Sequence, residues 1–429
     1  MAARSSLVRR IAALAALAPR LVRLAHHDYP DGLLAMSDGG ASRAWRVPAR
    51  PRRLLLVAGE ASGDLHGADL VRVLRASVPD LEVFGVGGER LREAGMETVA
   101  DVGQVATMGL KATGRLRALW HAYRTLTRRL RADPPDLCVL IDFPEFNLRL
   151  ARVAKRAGVP VLYYIGPQVW AWRRGRVRKI ARRVDRLAVV FPFEPALYTP
   201  RLAKVEFVGH PLLDRVRVTR GRAETLAAHG LDPARRTVLL LPGSRLSEID
   251  YLLPPLLDAV RRLGQDGGLQ FPLALAHTLP ADEVRRRVRA ADLDVAVIED
   301  DTYNLIAAAD LALVSSGTAT LECALLERPM VIVYRLGPLS YGLGRLLVRG
   351  VRFIGMPNIV AGREVVPELL QRQATGPRIA AAARALLDDR ARHAAMIEDL
   401  RDVRRRLGRG GAAGRAAAIA LEMLEGGRG

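Results

Sequence analysis

Two carboxylates and a carboxamide lie within the six residues of the string 142–147. The carboxylates belong to Asp142 and Glu145, and the amide belongs to Asn147. The apolar run just before them predicts a buried strand, and open α/β sheets bind their ligands where strands end. Asp142 is therefore our candidate for a general base. The alternative is a helix start at which Glu145 is merely solvated.

Glu60 and Ser62 are further candidates for the lining of a cleft. They stand between glycines in the string 59–64, directly after another apolar run. Glycine lets a ligand approach the backbone, and a helix N-terminus attracts an anion. The alternative is that Ser62 or Asp64 caps the helix. The glycines of residues 85–88 lack the full dinucleotide-binding spacing, so we expect a turn there and no nicotinamide cofactor.

Aromatic residues are concentrated in residues 163–173, although only 5% of the chain is aromatic. Gln168 and Trp170 lie in this string and are candidates for the wall of a cleft. Aromatic rings beside an arginine can stack on a sugar or a nucleobase, or can form ordinary core. The string alone leaves these choices open.

Two turns in the second half of the chain have the composition of a phosphate site. Each follows an apolar run, and their residues are Gly243, Ser244, Arg245, Ser316, Gly317 and Thr318. Backbone N–H groups at such turns, together with a guanidinium, can bind a diphosphate. Glu322, one helical turn further on, can accept hydrogen bonds from ribose hydroxyls. The two turns together predict a nucleoside diphosphate site, whereas each alone could be a helix cap.

Apolar runs of strand length alternate with helical patterns, which is typical of a parallel, doubly wound sheet. One series of predicted strands lies at residues 53–60, 82–86, 137–141, 159–165 and 186–190. A second series lies at residues 237–245, 272–276, 294–298, 311–315 and 330–334. We therefore predict an α/β protein with two Rossmann-like domains facing a cleft, followed by C-terminal helices. The predicted segments are residues 1–53, 54–214, 215–375 and 376–429.

The chain has 429 residues and a formal net charge of +21. This length suits two domains, and a basic surface attracts nucleic acid, anionic lipid or phosphorylated substrates. The basic residues are dispersed through α/β segments, which disfavours a nucleic-acid-binding protein. Cys138 and Cys323 lie inside apolar runs without zinc-ligand spacing, so we expect both to be buried in the core.

Residues 1–53 differ from the rest of the chain, because arginines flank one short apolar run without a clear cleavage pattern. We expect a disordered or mis-assigned extension, with a signal peptide, a transit-like segment or a membrane-surface segment as alternatives. No later segment has the roughly 20 apolar residues that a spanning helix needs. We therefore expect a soluble or peripheral protein.

Apolar residues recur at helical spacing through residues 105–130, with arginines around them. Packing of this helix against its own sheet is the ordinary explanation. The alternative is an exposed apolar patch with a basic rim, which suits a membrane surface. The predicted membrane-facing residues are Met108, Leu110, Leu116, Leu119 and Trp120.

Taken together, six strings in the same order are similar to those of bacterial lipid A disaccharide synthases. The strings are residues 58–64, 141–147, 167–172, 241–245, 316–322 and 353–364. The resemblance extends from residue 54 to residue 373, and residues 1–53 depart from the family pattern. It implies a GT-B fold and an inverting transfer of 2,3-diacylglucosamine from UDP to 2,3-diacylglucosamine 1-phosphate. The implied products are UDP and a β-1,6-linked disaccharide 1-phosphate of lipid A biosynthesis.

The resemblance also implies roles for residues that match by position. Asp142 would be the general base for the acceptor 6-hydroxyl, Arg245 would bind donor phosphate and Glu322 would hold the ribose. Asn358 and Glu364 would line the donor side. The residues assigned to the acceptor side or the cleft are Glu60, Ser62, Asn147, Gln168 and Trp170.

The resemblance implies no cofactor, no required metal and peripheral attachment to the cytoplasmic face of the membrane. No nucleic-acid partner is expected, and a homodimer is left open. The alternative function is another UDP-sugar enzyme on this scaffold, such as a 2-epimerase or a peptidoglycan-type N-acetylglucosaminyltransferase. Fold alone does not separate these activities.

Overall fold

The computed structural model describes residues 51–101, 112–167, 169, 176–199, 201–202, 204–335, 337 and 352–426, without the side chains of residues 101, 112–116 and 266. The predicted extension at residues 1–53 lies almost wholly outside this range. The predicted site residues Met108, Leu110, Gln168 and Trp170 lie outside it as well, as does the side chain of Leu116.

The first half of the chain forms a parallel sheet of seven strands in the order β3-β2-β1-β4-β5-β6-β7. The strands are β1 (Arg53–Ala58), β2 (Glu82–Gly87), β3 (Glu97–Asp101), β4 (Leu137–Ile141), β5 (Val161–Tyr164), β6 (Arg186–Val189) and β7 (Val205–Phe207). Its helices are α1 (Ala61–Ser77), α2 (Glu89–Glu93), α3 (Ala112–Ala132), α4 (Pro144–Arg156), α5 (Arg176–Ala181) and α6 (Glu194–Tyr198).

The second half forms a parallel sheet of six strands in the order β10-β9-β8-β11-β12-β13. The strands are β8 (Arg236–Leu241), β9 (Leu269–Leu275), β10 (Val295–Glu299), β11 (Leu311–Ser315), β12 (Met330–Tyr334) and β13 (Glu368–Leu370). Its helices are α7 (Arg222–Ala228), α8 (Leu246–Leu263), α9 (Ala281–Arg289), α10 (Thr302–Ala308), α11 (Thr318–Leu325) and α12 (Met356–Ala361).

Three further helices follow, α13 (Gly376–Leu387), α14 (Arg390–Arg406) and α15 (Ala412–Gly426), and 3₁₀ turns occupy Pro211–Asp214, Gly264–Asp266 and Gln371–Gln373. The predicted α/β architecture with two parallel sheets is confirmed. No helix in the described ranges is long and apolar enough to cross a membrane.

Both faces of the first sheet are covered, which is why its central strand is apolar throughout. Every side chain from Leu54 to Ala58 is fully buried. Side chains alternate between the two faces of a strand. Leu55 and Val57 therefore pack on one face with α3 and α4. Leu54 and Leu56 point to the other face, where they join a second core that continues into the other sheet. Cys138 and Cys323 are also fully buried in these cores.

The C-terminal helix α15 returns to the first half of the chain, where it packs against α1 and the strands β4 and β6. The carboxylate of Asp214 accepts hydrogen bonds from the backbone N–H of Gly411 at 2.6 Å and of Ala412 at 3.3 Å. Arg215 pairs with Asp69 of α1 at 2.8 Å. The two halves are therefore joined both at the connection near residue 214 and through α15.

Candidate active site

Asp142 lies directly after β4 in a turn with unusual backbone geometry. Asp142 and Phe143 both have left-handed conformations, with φ of 46° and 47°. Such conformations cost free energy for residues other than glycine and persist where surrounding contacts enforce them. Here the Asn147 amide donates hydrogen bonds to the carbonyls of Ile141 at 3.1 Å and Asp142 at 2.7 Å, and the Tyr163 hydroxyl also donates to the Asp142 carbonyl.

The ring of Phe143 explains why residue 59 is glycine. A Cβ atom at Gly59 would lie 2.1 Å from the Phe143 ring. Phe143 in turn stacks on Phe146 of α4, with ring centroids 5.4 Å apart. The turn after β1 and the turn after β4 are therefore packed together at the carboxyl edge of the first sheet.

The Asp142 carboxyl faces a cavity of about 280 Å³, whose wall also includes Glu60, Ile165 and Arg176. Burial, and next the negative charge of Glu60, raise the pKa of Asp142 to about 6, although a hydrogen bond from the Phe143 backbone works in the opposite direction. A carboxylate with this pKa is ionised at neutral pH and is a stronger base than an ordinary aspartate. It is therefore suited to accept a proton from a hydroxyl group.

Two residues predicted for this cleft have other positions. The side chain of Asn147 is fully buried and holds the backbone of the Asp142 turn, so it supports the site from behind. Ser62 is exposed on the first turn of α1 but is not in the wall of the Asp142 cavity. The amide of Asn147 was a signal for the site, but the sequence does not distinguish a ligand contact from a backbone contact.

Asp64 does not cap its own helix, contrary to the alternative considered from the sequence. Its buried carboxylate accepts hydrogen bonds from the backbone N–H groups of Gly88 at 2.6 Å, Arg90 at 3.1 Å and Leu91 at 3.3 Å. It therefore holds the start of α2. The turn predicted at the glycines of residues 85–88 is wrong for residues 85–87, which belong to strand β2, and only Gly88 follows it at the start of α2. These glycines let β2 lie close against β1, since a Cβ at Gly85 would lie 1.8 Å from the Leu56 carbonyl oxygen.

The second sheet has a larger cavity of about 780 Å³ at its carboxyl edge. Seven of the predicted donor residues lie together in its wall, and they are Gly243, Ser244, Arg245, Ser316, Gly317, Thr318 and Glu322. The strands β8 and β11 are neighbours in the sheet, so the turns that follow them meet at one edge. In the part of the chain that the structure describes, no three His, Cys, Asp or Glu side chains form a group that could hold a metal ion.

The first of these turns is organised around Glu248 of α8. The Glu248 carboxylate accepts a hydrogen bond from the Ser244 N–H at 2.8 Å, and its other oxygen lies 3.7 Å from the Arg245 guanidinium. The Arg245 side chain is 79% exposed. An exposed guanidinium beside a turn at the start of a helix is able to bind an incoming diphosphate.

Glu322 lies on α11 beyond the second turn and is partly buried. Burial raises the pKa of the Glu322 carboxyl, although the hydroxyl of Tyr303, 3.4 Å away, works in the opposite direction. Burial, and next the charge of Glu322, raise the pKa of Tyr303 to about 12. The pair offers a carboxylate and a hydroxyl to a polar group such as a ribose.

Another side of this cavity was not predicted from the sequence, and it includes Arg220, Asp301 and Asn304. Burial alone would raise the pKa of Asp301, but hydrogen bonds from His229, Asn304 and Arg220 hold it below its usual range. The Asn304 side-chain oxygen also accepts from the Arg220 backbone N–H at 3.2 Å. A usable signal was the position of Asp301, just after the predicted strand at residues 294–298.

Asn358 and Glu364 do not lie in the wall of the cavity of the second sheet. Asn358 is fully buried; its amide nitrogen donates to the Val366 carbonyl at 2.8 Å and its oxygen accepts from Val365 N–H at 2.7 Å. Glu364 is exposed in the turn between α12 and β13. Asn358 therefore holds the backbone of the turn between α12 and β13.

The predicted membrane-facing helix α3 divides into a buried and an exposed part. Leu126 and Leu130 are fully buried against the first sheet, as ordinary packing predicts. Trp120 is 60% exposed, and the Arg124 guanidinium lies over its ring, 4.6 Å from the ring centroid. Leu119 is half-buried. Of the two predicted residues whose side chains are described, Trp120 is exposed and Leu119 is not.

Comparison with known sequences decides among the enzymes that such a pair of cavities would suit. The profile of the lipid-A-disaccharide synthetase family matches residues 54–422, a range that contains both cavities. The chain belongs to this family. It is 50% identical over 375 residues to a lipid-A-disaccharide synthase of Geobacter metallireducens, with 87% of this chain and 97% of that protein covered. A lipid-A-disaccharide synthase of Myxococcus xanthus is 42% identical over 380 residues, covering 88% and 99% of the two chains.

Superposition on solved structures shows that this chain has the GT-B fold. The UDP-GlcNAc 2-epimerase from Neisseria meningitidis bound to UDP-GlcNAc superposes with a TM-score of 0.55 at 14% identity, covering 87% of this chain and 99% of that chain. A calicheamicin glycosyltransferase superposes with a TM-score of 0.54 at 16% identity, covering 88% and 99%. At these identities the likeness concerns the fold alone, and the fold predicted from the sequence is confirmed.

Proposed function

We propose that this protein is a lipid-A-disaccharide synthase. It transfers 2,3-diacylglucosamine from UDP to the 6-hydroxyl of 2,3-diacylglucosamine 1-phosphate with inversion at the anomeric carbon. The products are the β-1,6-linked disaccharide 1-phosphate and UDP. The observation that carries this proposal is that one family match spans both the Asp142 cavity and the cavity of the second sheet.

The acceptor side of the proposed mechanism rests on Asp142. Inversion in one in-line displacement needs a base that removes the proton of the attacking hydroxyl. The Asp142 carboxyl stands in a cavity at the carboxyl edge of its sheet, and its pKa of about 6 leaves it ionised at neutral pH. The rigid turn behind it, held by Asn147 and Tyr163, fixes its direction. Such fixed placement is what catalysis by a positioned base requires.

The donor side of the mechanism rests on the turns of the second sheet. As the bond to the sugar breaks, negative charge develops on the UDP leaving group and must be stabilised. Arg245 and the N–H groups of the two turns would offset that charge, and Glu322 with Tyr303 would hold the ribose. The Ser244 N–H donates a hydrogen bond to the Glu248 carboxylate. This hydrogen bond would have to break before the N–H could donate to the diphosphate.

We further propose that the enzyme attaches peripherally to the inner face of the cytoplasmic membrane, because both proposed substrates carry acyl chains. Support comes from α3, where Trp120 is exposed under the Arg124 guanidinium and no acidic residue occurs in the helix. An aromatic ring beside arginine is suited to the interface of an anionic bilayer.

The test is a product assay with purified protein, UDP-2,3-diacylglucosamine and 2,3-diacylglucosamine 1-phosphate in detergent micelles. We expect mass spectrometry to detect the disaccharide 1-phosphate, with one UDP released per disaccharide. Reactions that omit either substrate are the matched controls. Conversion of UDP-N-acetylglucosamine to its 2-epimer without any acceptor would instead support the rival epimerase function.

A further inference from the structure

A third cavity, outside the two already described, is surrounded by basic side chains. It has a volume of about 610 Å³ and lies between α4 and α5. We call it the cationic groove, and its basic lining residues are Arg149, Arg152, Arg176, Lys179 and Arg183. Glu145 is the one acidic residue in its wall. Five cations against one carboxylate leave the groove with a strong positive charge.

The positive charge of the groove is neutralised only in part, because Glu145 forms an ion pair with Arg176. Arg149, Arg152 and Lys179 are exposed, and no carboxylate among the described residues lies within ion-pair distance of them. The Arg183 guanidinium donates to the Leu148 carbonyl at 2.8 Å. Burial, and next the charge of Arg152, lower the pKa of Arg183, so these two guanidinium groups repel each other. Such an arrangement is stabilised when an anion binds between the cations.

The cationic groove adjoins the Asp142 cavity. Pro144 and Arg176 belong to the walls of both cavities. In the proposed reaction the acceptor presents its 6-hydroxyl to Asp142, and its phosphate is attached to the anomeric carbon, which is joined through the ring oxygen to the carbon that bears the 6-hydroxymethyl group. That phosphate must therefore lie about one sugar ring away from Asp142, in a neighbouring space. The groove is such a space, and its charge has the required sign.

We propose that the cationic groove binds the 1-phosphate of the acceptor sugar, and this inference rests on the proposed function. A phosphate monoester carries up to two negative charges, and guanidinium groups can bind its oxygens in pairs. The groove would thereby orient the acceptor so that its 6-hydroxyl, and not another hydroxyl, meets Asp142. The phosphates of membrane lipids share this chemistry, so the experiment must separate the two sources.

The test compares two double variants that each remove two positive charges from exposed positions of α4 or α5. R149Q/R152Q removes two exposed groove cations, whereas R156Q/R178Q removes two exposed arginines of α4 and α5 that do not line the groove. Steady-state turnover is measured in neutral detergent micelles with the acceptor 1-phosphate and with the same acceptor lacking phosphate. UDP binding and thermal unfolding are recorded for every variant.

We expect R149Q/R152Q to raise the KM for the acceptor 1-phosphate roughly tenfold to a hundredfold, as expected for lost charge-assisted contacts. The KM for the acceptor without phosphate, UDP binding and thermal unfolding should not change, and R156Q/R178Q should behave like the wild type. An equal effect on both acceptors, or none on either, would overturn the assignment. So would a loss confined to binding of vesicles that contain phosphatidylglycerol, which would identify a lipid-headgroup site. If the wild type makes no disaccharide, the proposed function itself fails.

Discussion

The replacement Asp142→Asn separates the chemistry of Asp142 from its structural role. Asparagine keeps the shape of the side chain but does not accept a proton from a hydroxyl at neutral pH. The turn itself is held through the backbone carbonyl of residue 142, to which Asn147 and Tyr163 donate, and these contacts survive the substitution. We therefore expect a folded protein that has lost only the base.

The size of the effect follows from the role. Removal of a general base lowers the rate by roughly 10²–10⁴-fold, equivalent to about 3–5 kcal/mol of transition-state stabilisation. Since the pKa of Asp142 is raised to about 6, first by burial and then by Glu60, kcat/KM of the wild type should fall as the pH drops below about 6. Glu60→Gln removes the neighbouring charge, so it should move this acidic limb to lower pH and keep turnover.

The assay is initial-rate disaccharide formation by Asp142→Asn, Glu60→Gln and Glu145→Gln across pH 5 to 8, with UDP affinity measured in parallel. UDP affinity should be nearly the same in all three variants and the wild type. Near-normal turnover of Asp142→Asn together with inactive Glu60→Gln or Glu145→Gln would show that another carboxylate is the base. An acidic limb unmoved by Glu60→Gln would refute the electrostatic part of the argument.

Three further predictions concern the donor site, the membrane contact and the stability of the Asp142 turn. Arg245→Ala and Glu322→Ala should each weaken UDP binding by about 1.5–3 kcal/mol, whereas Arg289→Ala, at an exposed position of α9, should leave the UDP affinity measured by calorimetry unchanged. Unaltered UDP affinity in both site variants would defeat the donor assignment. Replacing Leu119 and Trp120 by Ser should reduce sedimentation with anionic liposomes, whereas the control Val73→Ser, at a position of α1 that is 37% exposed, should not. Equal liposome binding by the wild type, the double variant and the control would count against α3 as the membrane contact. Asp142→Asn should also raise the free energy of unfolding by about 1–3 kcal/mol at pH 7.5, because the raised pKa of Asp142 means that its ionised carboxylate costs stability above about pH 6. This gain in stability should disappear near pH 4, and a gain that persists there would point to another cause.

The sequence was most informative where long apolar strands end in polar turns. The central strands β1, β4, β8 and β11 are covered on both faces, so their composition reveals them and the turns that follow. The strands at Glu97–Asp101, Val205–Phe207 and Glu368–Leu370 were not predicted. They are short and lie at sheet edges, where fewer side chains need to be apolar, and three to five residues show little periodicity.

The sequence was least informative about which polar residues contact a ligand. Asn147 and Asn358 stand in strings typical of a site, yet both are buried and bind backbone groups. Their spacing along the chain carries no information about the tertiary partners that satisfy them. Asp301 and Arg220 line the donor cavity from segments that are far apart in sequence, and the cationic groove combines two helices. Such sites exist only once the elements have packed.

The linkage of the disaccharide product is the sharpest test of the proposed inverting transfer. Nuclear magnetic resonance of the product formed from UDP-2,3-diacylglucosamine and the acceptor 1-phosphate reports both the anomeric configuration and the oxygen that was glycosylated. We expect a β linkage to the acceptor 6-oxygen, because the base at Asp142 activates that hydroxyl for a single in-line displacement. An α linkage, attachment at another hydroxyl, or release of free sugar and UDP without any disaccharide would contradict it.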